Sequence, residues 1–267
     1  MSRIEARFAD LHRAGEGALI VFMVAGHPTL EGFGASLLAA AQAGADVIEV
    51  GVPFSDPLAD GPVIQAASQR ALANGVTPRQ VLSLVADFRR QQSTPLVLMT
   101  CYNPIHRFGV EAFAEESARA GVDGVIVTDL PPEEAEAWLG AARRHGIDTI
   151  FLLAPTSTQP RVKAVAGVAT GFVYCVSRMG VTGARTDLPP DLRELVSAIR
   201  AHTSKPVAVG FGISRPEHVA EVCRLADGAV VGSALVSLME TANGGAAELP
   251  RRVARFVEEL KRATRRS

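Results

Sequence analysis

The chain has 267 residues, 48% of them hydrophobic and 5% aromatic, with 27 basic against 28 acidic side chains and a formal net charge of −1. That length suits one large α/β domain with a mainly aliphatic core, and the balanced charge excludes a global electrostatic pull toward nucleic acid or an acidic membrane. Cys101, Cys175 and Cys223 are far apart and form no C-x-x-C pair, which argues for reduced thiols and against a disulfide framework or structural zinc.

Residues 3–13 read as a short amphipathic helix with Ile4, Phe8 and Leu11 on one side. Its charged neighbours Arg3, Glu5, Arg7, Asp10 and Arg13 interrupt any signal-peptide core. No apolar run reaches the roughly 18 residues of a membrane span, so a cytoplasmic location is expected. Residues 18–24 form a continuous apolar run ended by Gly26 and Pro28, as expected of a strand buried on both faces. Thr29 can cap the helix that follows, which Gly44 closes. The second strand, 46–50, carries Glu49 among Val47, Ile48 and Val50. A buried carboxylate is costly unless it is paired or used, so Glu49 either bridges to a neighbour, points to solvent, or does chemistry.

The alternation continues. Helices near 62–73 and 78–91 precede a strand at 95–99, and a helix at 111–120 precedes one at 124–127. A helix from Pro132 to His145 leads into 149–153, a short one at 160–166 into 171–175, and one at 189–202 into 206–209. A helix at 216–225 leads into 229–231, and helices at 233–240 and 248–264 end the series. Eight short apolar strands in βα alternation predict a closed parallel barrel, with an open doubly wound sheet as the other arrangement. The segments 43–48, 120–125 and 225–230 each join a helix end, an aspartate turn and a strand start, which suggests a recurring unit. No linker divides the chain, so residues 1–267 read as one domain. The basic helix at the end has Val253, Phe256, Val257 and Leu260 beneath its arginines, the pattern of a solvated outer helix.

In such barrels, reactive groups lie at the C-terminal strand ends and in the loops that follow. This rule gathers Phe22, Glu49, Asp60, Tyr102, Asp129 and Tyr174 at one rim. Gly210-Phe211-Gly212-Ile213-Ser214 after the seventh strand and Gly232-Ser233 opening a helix after the eighth form a candidate phosphate cradle, although Ser233 alone is also an ordinary N-cap. The polar loop from Ser177 to Arg185 reads either as a lid or as a surface connection. Lys163, Lys205 and Lys261 all fall away from the mouth, which leaves no Schiff-base amine, and only His27 and His106 could reach it, too few for a histidine metal site. Acid–base chemistry by carboxylates on a phosphorylated substrate remains, with no metal expected.

The stretch Glu49-Val50-Gly51-Val52-Pro53-Phe54-Ser55-Asp56-Pro57-Leu58-Ala59-Asp60-Gly61-Pro62 closely resembles the signature of the tryptophan synthase alpha chain family. The resemblance extends over essentially the whole chain through 99–104, Asp129-Leu130-Pro131, 177–183 and 210–214; Cys101 departs from it, standing where the family often has a tyrosine. It implies a (β/α)8 TIM barrel with extra N-terminal and C-terminal helices. It also implies reversible retro-aldol cleavage of indole-3-glycerol phosphate to indole and glyceraldehyde 3-phosphate. On this resemblance Glu49 is the general acid–base and Asp60 accepts the indole N–H. Phe22, Tyr174 and Phe211 frame the substrate, while Gly183, Gly212, Gly232 and Ser233 hold its phosphate and Thr182 sits on the lid. No cofactor is expected on this chain. The resemblance implies a pyridoxal phosphate-bearing beta chain as partner in an α2β2 heterotetramer, met through Pro53, Asp56, Pro57, Asn103, Pro104, Pro131 and Pro132. Two other readings are a sugar-phosphate isomerase or epimerase on the same barrel, and a non-catalytic regulatory subunit.

Overall fold

The computed structural model describes residues 1–57, 60–176, 190–210, 212–240 and 248–266, leaving aside the side chains of residues 190 and 191. Among these, eight strands close into a parallel barrel in chain order: β1 Ala18–Val24, β2 Val47–Gly51, β3 Leu96–Thr100, β4 Gly124–Val127, β5 Asp148–Leu153, β6 Val173–Val176, β7 Val207–Gly210 and β8 Gly228–Val231. β1 pairs with both β2 and β8, so closure replaces the open-sheet alternative. The helices are α1 Arg3–Ala14, α2 Leu30–Gln42, α3 Pro62–Ala73, α4 Pro78–Arg89, α5 Tyr102–Phe108, α6 Val110–Ala120, α7 Glu136–Arg144, α8 Gln159–Val168, α9 Pro190–Arg200, α10 Pro216–Leu225, α11 Ser233–Glu240 and α12 Glu248–Arg262. None of them is long and apolar enough to cross a membrane.

Alternate strand residues fall into two separate buried clusters, as period-two geometry requires. Leu19, Val21, Met23, Ile48, Val50, Leu96 and Leu98 belong to the layer between barrel and helices. Ala18, Ile20, Val47, Val97, Ile126, Ile150, Phe172, Tyr174, Ala208 and Val230 fill the barrel itself together with Ile4, Phe8 and Leu11 of α1. α1 therefore plugs one end of the barrel, its start fixed by a reciprocal Ser2–Glu5 capping box and its end by left-handed Gly15. With the amino-terminal end of the barrel filled, the opposite end is the one left for substrate.

The recurring aspartate turn has a physical meaning. The residue just before β2, β4 and β8 accepts a backbone N–H from the start of the strand before it. Leu19 donates to Asp46 at 2.6 Å, Leu96 to Asp123 at 2.8 Å and Val207 to Asp227 at 2.9 Å. Ahead of β6 a similar contact comes from Thr170, three residues before the strand, whose hydroxyl accepts from Thr149 at 2.7 Å. Asp46 and Asp123 also tie down the plug and the outer helices. Asp46 binds Arg7 and Lys261, and Asp123 binds Arg3 and Arg89. Lys261 is thus a structural cation of α12.

Apart from shifts of one or two residues at element ends, the elements differ from the sequence expectation in two places. Tyr102–Phe108 is a short helix rather than a loop, and the expected helix from Pro132 to His145 is a 3-10 turn, Pro132–Glu134, followed by α7. Both changes lie in loops at the C-terminal strand ends, where they set the shape of the mouth.

Candidate active site

Glu49 is the third residue of β2, paired in register with Phe22 of β1 and Val97 of β3. It stands two residues beyond the inward-facing Val47 and therefore points into the barrel. Its residue is fully buried, and neither carboxylate oxygen has a hydrogen-bond partner among the described residues. Burial alone pushes its pKa up to about 8. At neutral pH the side chain is thus mostly a neutral acid, which is how the fold tolerates it. A proton held in an apolar site, with no partner to fix it, is available for transfer.

Asp60 lies in the loop that follows β2, immediately before Gly61 opens α3. Its backbone is held from both sides: its N–H donates to the Pro57 carbonyl at 3.0 Å, and its carbonyl accepts from Gln65 Nε2 at 2.9 Å. Burial raises its pKa to about 6. The two carboxyls therefore occupy different states near pH 7, Glu49 protonated and Asp60 ionised, as a pair with different proton duties requires.

Both carboxyl residues line one cavity of about 490 Å³ at the C-terminal end of the barrel. Phe22 and Tyr174 line it as well, with Gly212, Gly232 and Ser233 at one end. Two glycines make room for the rings. A Cβ on Gly210 would lie 2.3 Å from the Tyr174 hydroxyl oxygen, and one on Gly51 would lie 2.6 Å from Phe22 Cζ. Burial, with Glu49 and Asp60 adding to it, holds the Tyr174 phenol well above its ordinary pKa, so its O–H stays a donor.

At the far end, Gly232 supplies the first carbonyl of α11, accepting from Leu235 and Val236. The N–H groups of the first helical turn then face the cavity end, where an anion is favoured. Gly212 adds a left-handed backbone at φ 77°. Thr182, Gly183 and Phe211, together with the candidate lid at 177–188, lie outside the described residues.

This cavity answers to a known family. A family model described as tryptophan synthase alpha chain matches residues 8–265. The chain belongs to the tryptophan synthase alpha chain family. It is 50% identical over 261 residues to the alpha chain of Geotalea uraniireducens, covering 98% of this chain and 97% of the relative. To that of Geobacter sulfurreducens it is 51% identical over 263 residues, covering 98% and 99%. A tryptophan synthase structure from Mycobacterium tuberculosis superposes with a TM-score of 0.91 at 39% identity, covering 100% of this chain and 99% of that one. The alpha subunit of Legionella pneumophila superposes with a TM-score of 0.91 at 34% identity over 99% and 98% of the two chains. A tryptophan synthase alpha chain is a lyase that cleaves indole-3-glycerol phosphate in tryptophan biosynthesis, and this chain is an enzyme of that kind.

Several alpha-chain residues singled out in the sequence sit elsewhere than the cavity wall. The Tyr102 N–H donates to Asp129 Oδ1 at 2.7 Å, so Asp129 anchors the start of α5. His27 is buried with Nε2 3.4 Å from Glu240 Oε2, and His106 is exposed beside the Tyr102 ring at 6.0 Å. Asp56 and Asn103 are exposed, Pro57, Pro104, Pro131 and Pro132 are half-buried, and Pro53 is buried. The apolar wall was not singled out in advance: Ile64, Met99, Leu152, Val176 and Val230 line the cavity. The last four are the final inward position of their strands, so the period-two rule carried to each strand end identifies them.

Proposed function

We propose that Glu49 carries the proton chemistry of indole-3-glycerol phosphate cleavage and that Asp60 holds the indole. The observation that carries this is Glu49 itself, fully buried, unpartnered among the described residues and mostly protonated, facing a cavity that also receives Asp60. The Glu49 carboxyl gives its proton to indole C3. Positive charge then develops on the ring nitrogen, whose N–H donates to the Asp60 carboxylate. The hydroxyl on the adjacent glycerol carbon passes its proton to the Glu49 carboxylate. Its oxygen closes to a carbonyl, the carbon–carbon bond breaks, and the bonding pair restores the aromatic indole. Indole and glyceraldehyde 3-phosphate result, and Glu49 is again a neutral acid. Proton transfer of this kind contributes roughly 10²–10⁴-fold.

Phe22 and Tyr174 frame the ring and glycerol, while Gly212, Gly232 and Ser233 receive the phosphate. Thr182, Gly183 and Phe211 take the roles that the resemblance gives them. The chemistry needs no cofactor on this chain. Lys163 lies in α8, Lys205 pairs with Glu5 at 3.0 Å and Lys261 pairs with Asp46 at 2.9 Å, so an imine-forming amine has no place in the cavity. We read residues 1–267 as one cytoplasmic domain. The family name implies a beta chain as partner. An α2β2 heterotetramer with pyridoxal phosphate on the beta chain fits the proline-rich segments at Pro53–Pro57, Asn103-Pro104 and Pro131-Pro132, all beside the mouth.

An indole-release assay with indole-3-glycerol phosphate, with and without a beta chain, tests the reading. Release by the chain alone, faster with the partner, is expected. Partner stimulation without cleavage would instead favour the regulatory-subunit reading.

A further inference from the structure

A second, much smaller cavity opens off the substrate cavity, and the two share Phe22, Asp60, Ile64, Met99 and Thr128. Its volume is about 20 Å³, room for one water-sized group and no more. It lies where α3 meets the ends of β2, β3 and β4, and its lining sets the polar side chains Asp60, Ser68, Thr100, Cys101 and Thr128 among apolar ones such as Val52, Phe54 and Pro57. Cys101 Sγ lies 3.5 Å from Thr128 Oγ1, at the position where the family pattern often has a tyrosine. The threonine hydroxyls are already spent as donors, Thr100 to the Cys101 carbonyl at 3.2 Å and Thr128 to the Thr100 carbonyl at 3.5 Å. What they turn toward the chamber is lone pairs, and the Asp60 carboxylate adds more. The chamber is therefore built to accept hydrogen bonds.

We propose that this side chamber is a specificity subsite that admits a small hydrogen-bond donor, a hydroxyl or an amino group, on carbon 7 of the indole ring. The assignment rests on the Asp60 reading above. Asp60 is common to both cavities, so an indole whose N–H points at Asp60 turns the neighbouring edge of its six-membered ring toward the chamber. Carbon 7 is the ring position beside that N–H. A 7-hydroxyl and the N–H diverge by little and can both donate to one carboxylate, one to each oxygen. Substituents on carbons 4 and 5 point instead away from the chamber and its acceptors, toward the side of the cavity that Leu152 and Val176 line.

Condensation in the reverse direction tests this with the full chain, glyceraldehyde 3-phosphate and a panel of indoles: indole, 7-hydroxyindole, 5-hydroxyindole and 1-methylindole. The expected kcat/KM for 7-hydroxyindole lies within a few-fold of indole, and that for 5-hydroxyindole at least about tenfold below. Cys101→Leu, which fills the chamber, should lower the ratio of 7-hydroxyindole to indole by about tenfold. Thr128→Val, which keeps the volume and removes the lone pairs, should lower the same ratio, so the conclusion does not hang on one variant folding. The ratio cancels any general loss of activity. Equal discrimination against the 7- and 5-hydroxy compounds, with 1-methylindole still poor, would overturn the subsite and leave Asp60 in place. If 1-methylindole condenses as well as indole, the Asp60 reading falls and the subsite with it.

Discussion

Gly51 and Phe22, on neighbouring strands of the barrel mouth, are in contact in a way that only glycine permits: a Cβ on Gly51 would lie 2.6 Å from Cζ and 2.9 Å from Cε2 of the ring. Phe22 is 5% exposed and cannot swing into solvent. Gly51→Ala should therefore turn the ring into the substrate cavity and lower kcat/KM for indole-3-glycerol phosphate by about 10²-fold, the usual consequence of ~1 Å misplacement. Adding Phe22→Leu, which shortens the obstructed side chain, should recover part of the loss. Steady-state kinetics of the single and double variants check this, and additive losses would contradict it.

The two carboxyls set a pH profile. Glu49 must be protonated to donate to C3, and with its pKa near 8 that form disappears as pH rises through 8. Asp60 must be ionised to accept the ring N–H, and with its pKa near 6 that form disappears as pH falls through 6. The expected kcat/KM profile is a bell between about pH 6 and 8. Asp60→Asn should lower turnover strongly and erase the acidic limb while leaving the alkaline one.

The same burial makes Glu49 a liability for the fold at high pH. Its pKa is raised from 4.5 to about 8, so the folded state holds a proton that the unfolded chain has lost. That contribution to stability is complete below pH 4.5 and is lost progressively as pH rises to about 8. Glu49→Gln removes the ionisation, so the variant should match the parent at pH 4 and exceed it at pH 9. Urea unfolding at the two pH values measures the difference, and an equal gap at both would show that Glu49 is not held protonated by burial.

The opposite end of the barrel makes a separate prediction. Asp46 is buried and receives Leu19 N–H, Arg7 and Lys261 together. Asp46→Ala would leave an orphaned N–H and a poorly solvated ammonium, costing about 3 kcal/mol of unfolding free energy. Because Asp46 lies at the amino-terminal end, kcat of the folded variant should stay close to that of the parent. A variant with full stability would remove the aspartate clasp from the account of the fold.

Most of the barrel was legible because its strands are buried on both faces and read as short apolar runs between helical patterns. α5 was not, since its start is satisfied by Asp129, 27 residues further along the chain, rather than by a cap of its own. The continuous helix expected from Pro132 failed for a local reason: Ala135, at φ −87° and ψ 3°, separates a 3-10 turn from α7. Glu49 was conspicuous as a carboxylate inside an apolar strand, whereas Asp60 gained a role only through the loop signature. The side chamber could not be read at all. Its walls come from β1, β2 and the loop after it, α3, β3 and the residues after β3 and β4, and only the folded chain brings Ser68 near Cys101 and Thr128.

The central claim is that one buried carboxyl moves both protons. Glu49→Gln keeps the shape of the side chain and removes its proton chemistry. Indole release from indole-3-glycerol phosphate by this variant should fall by about 10³-fold or more, while binding of glyceraldehyde 3-phosphate stays near that of the parent. Turnover close to the parent's, with the variant folded, would contradict the account.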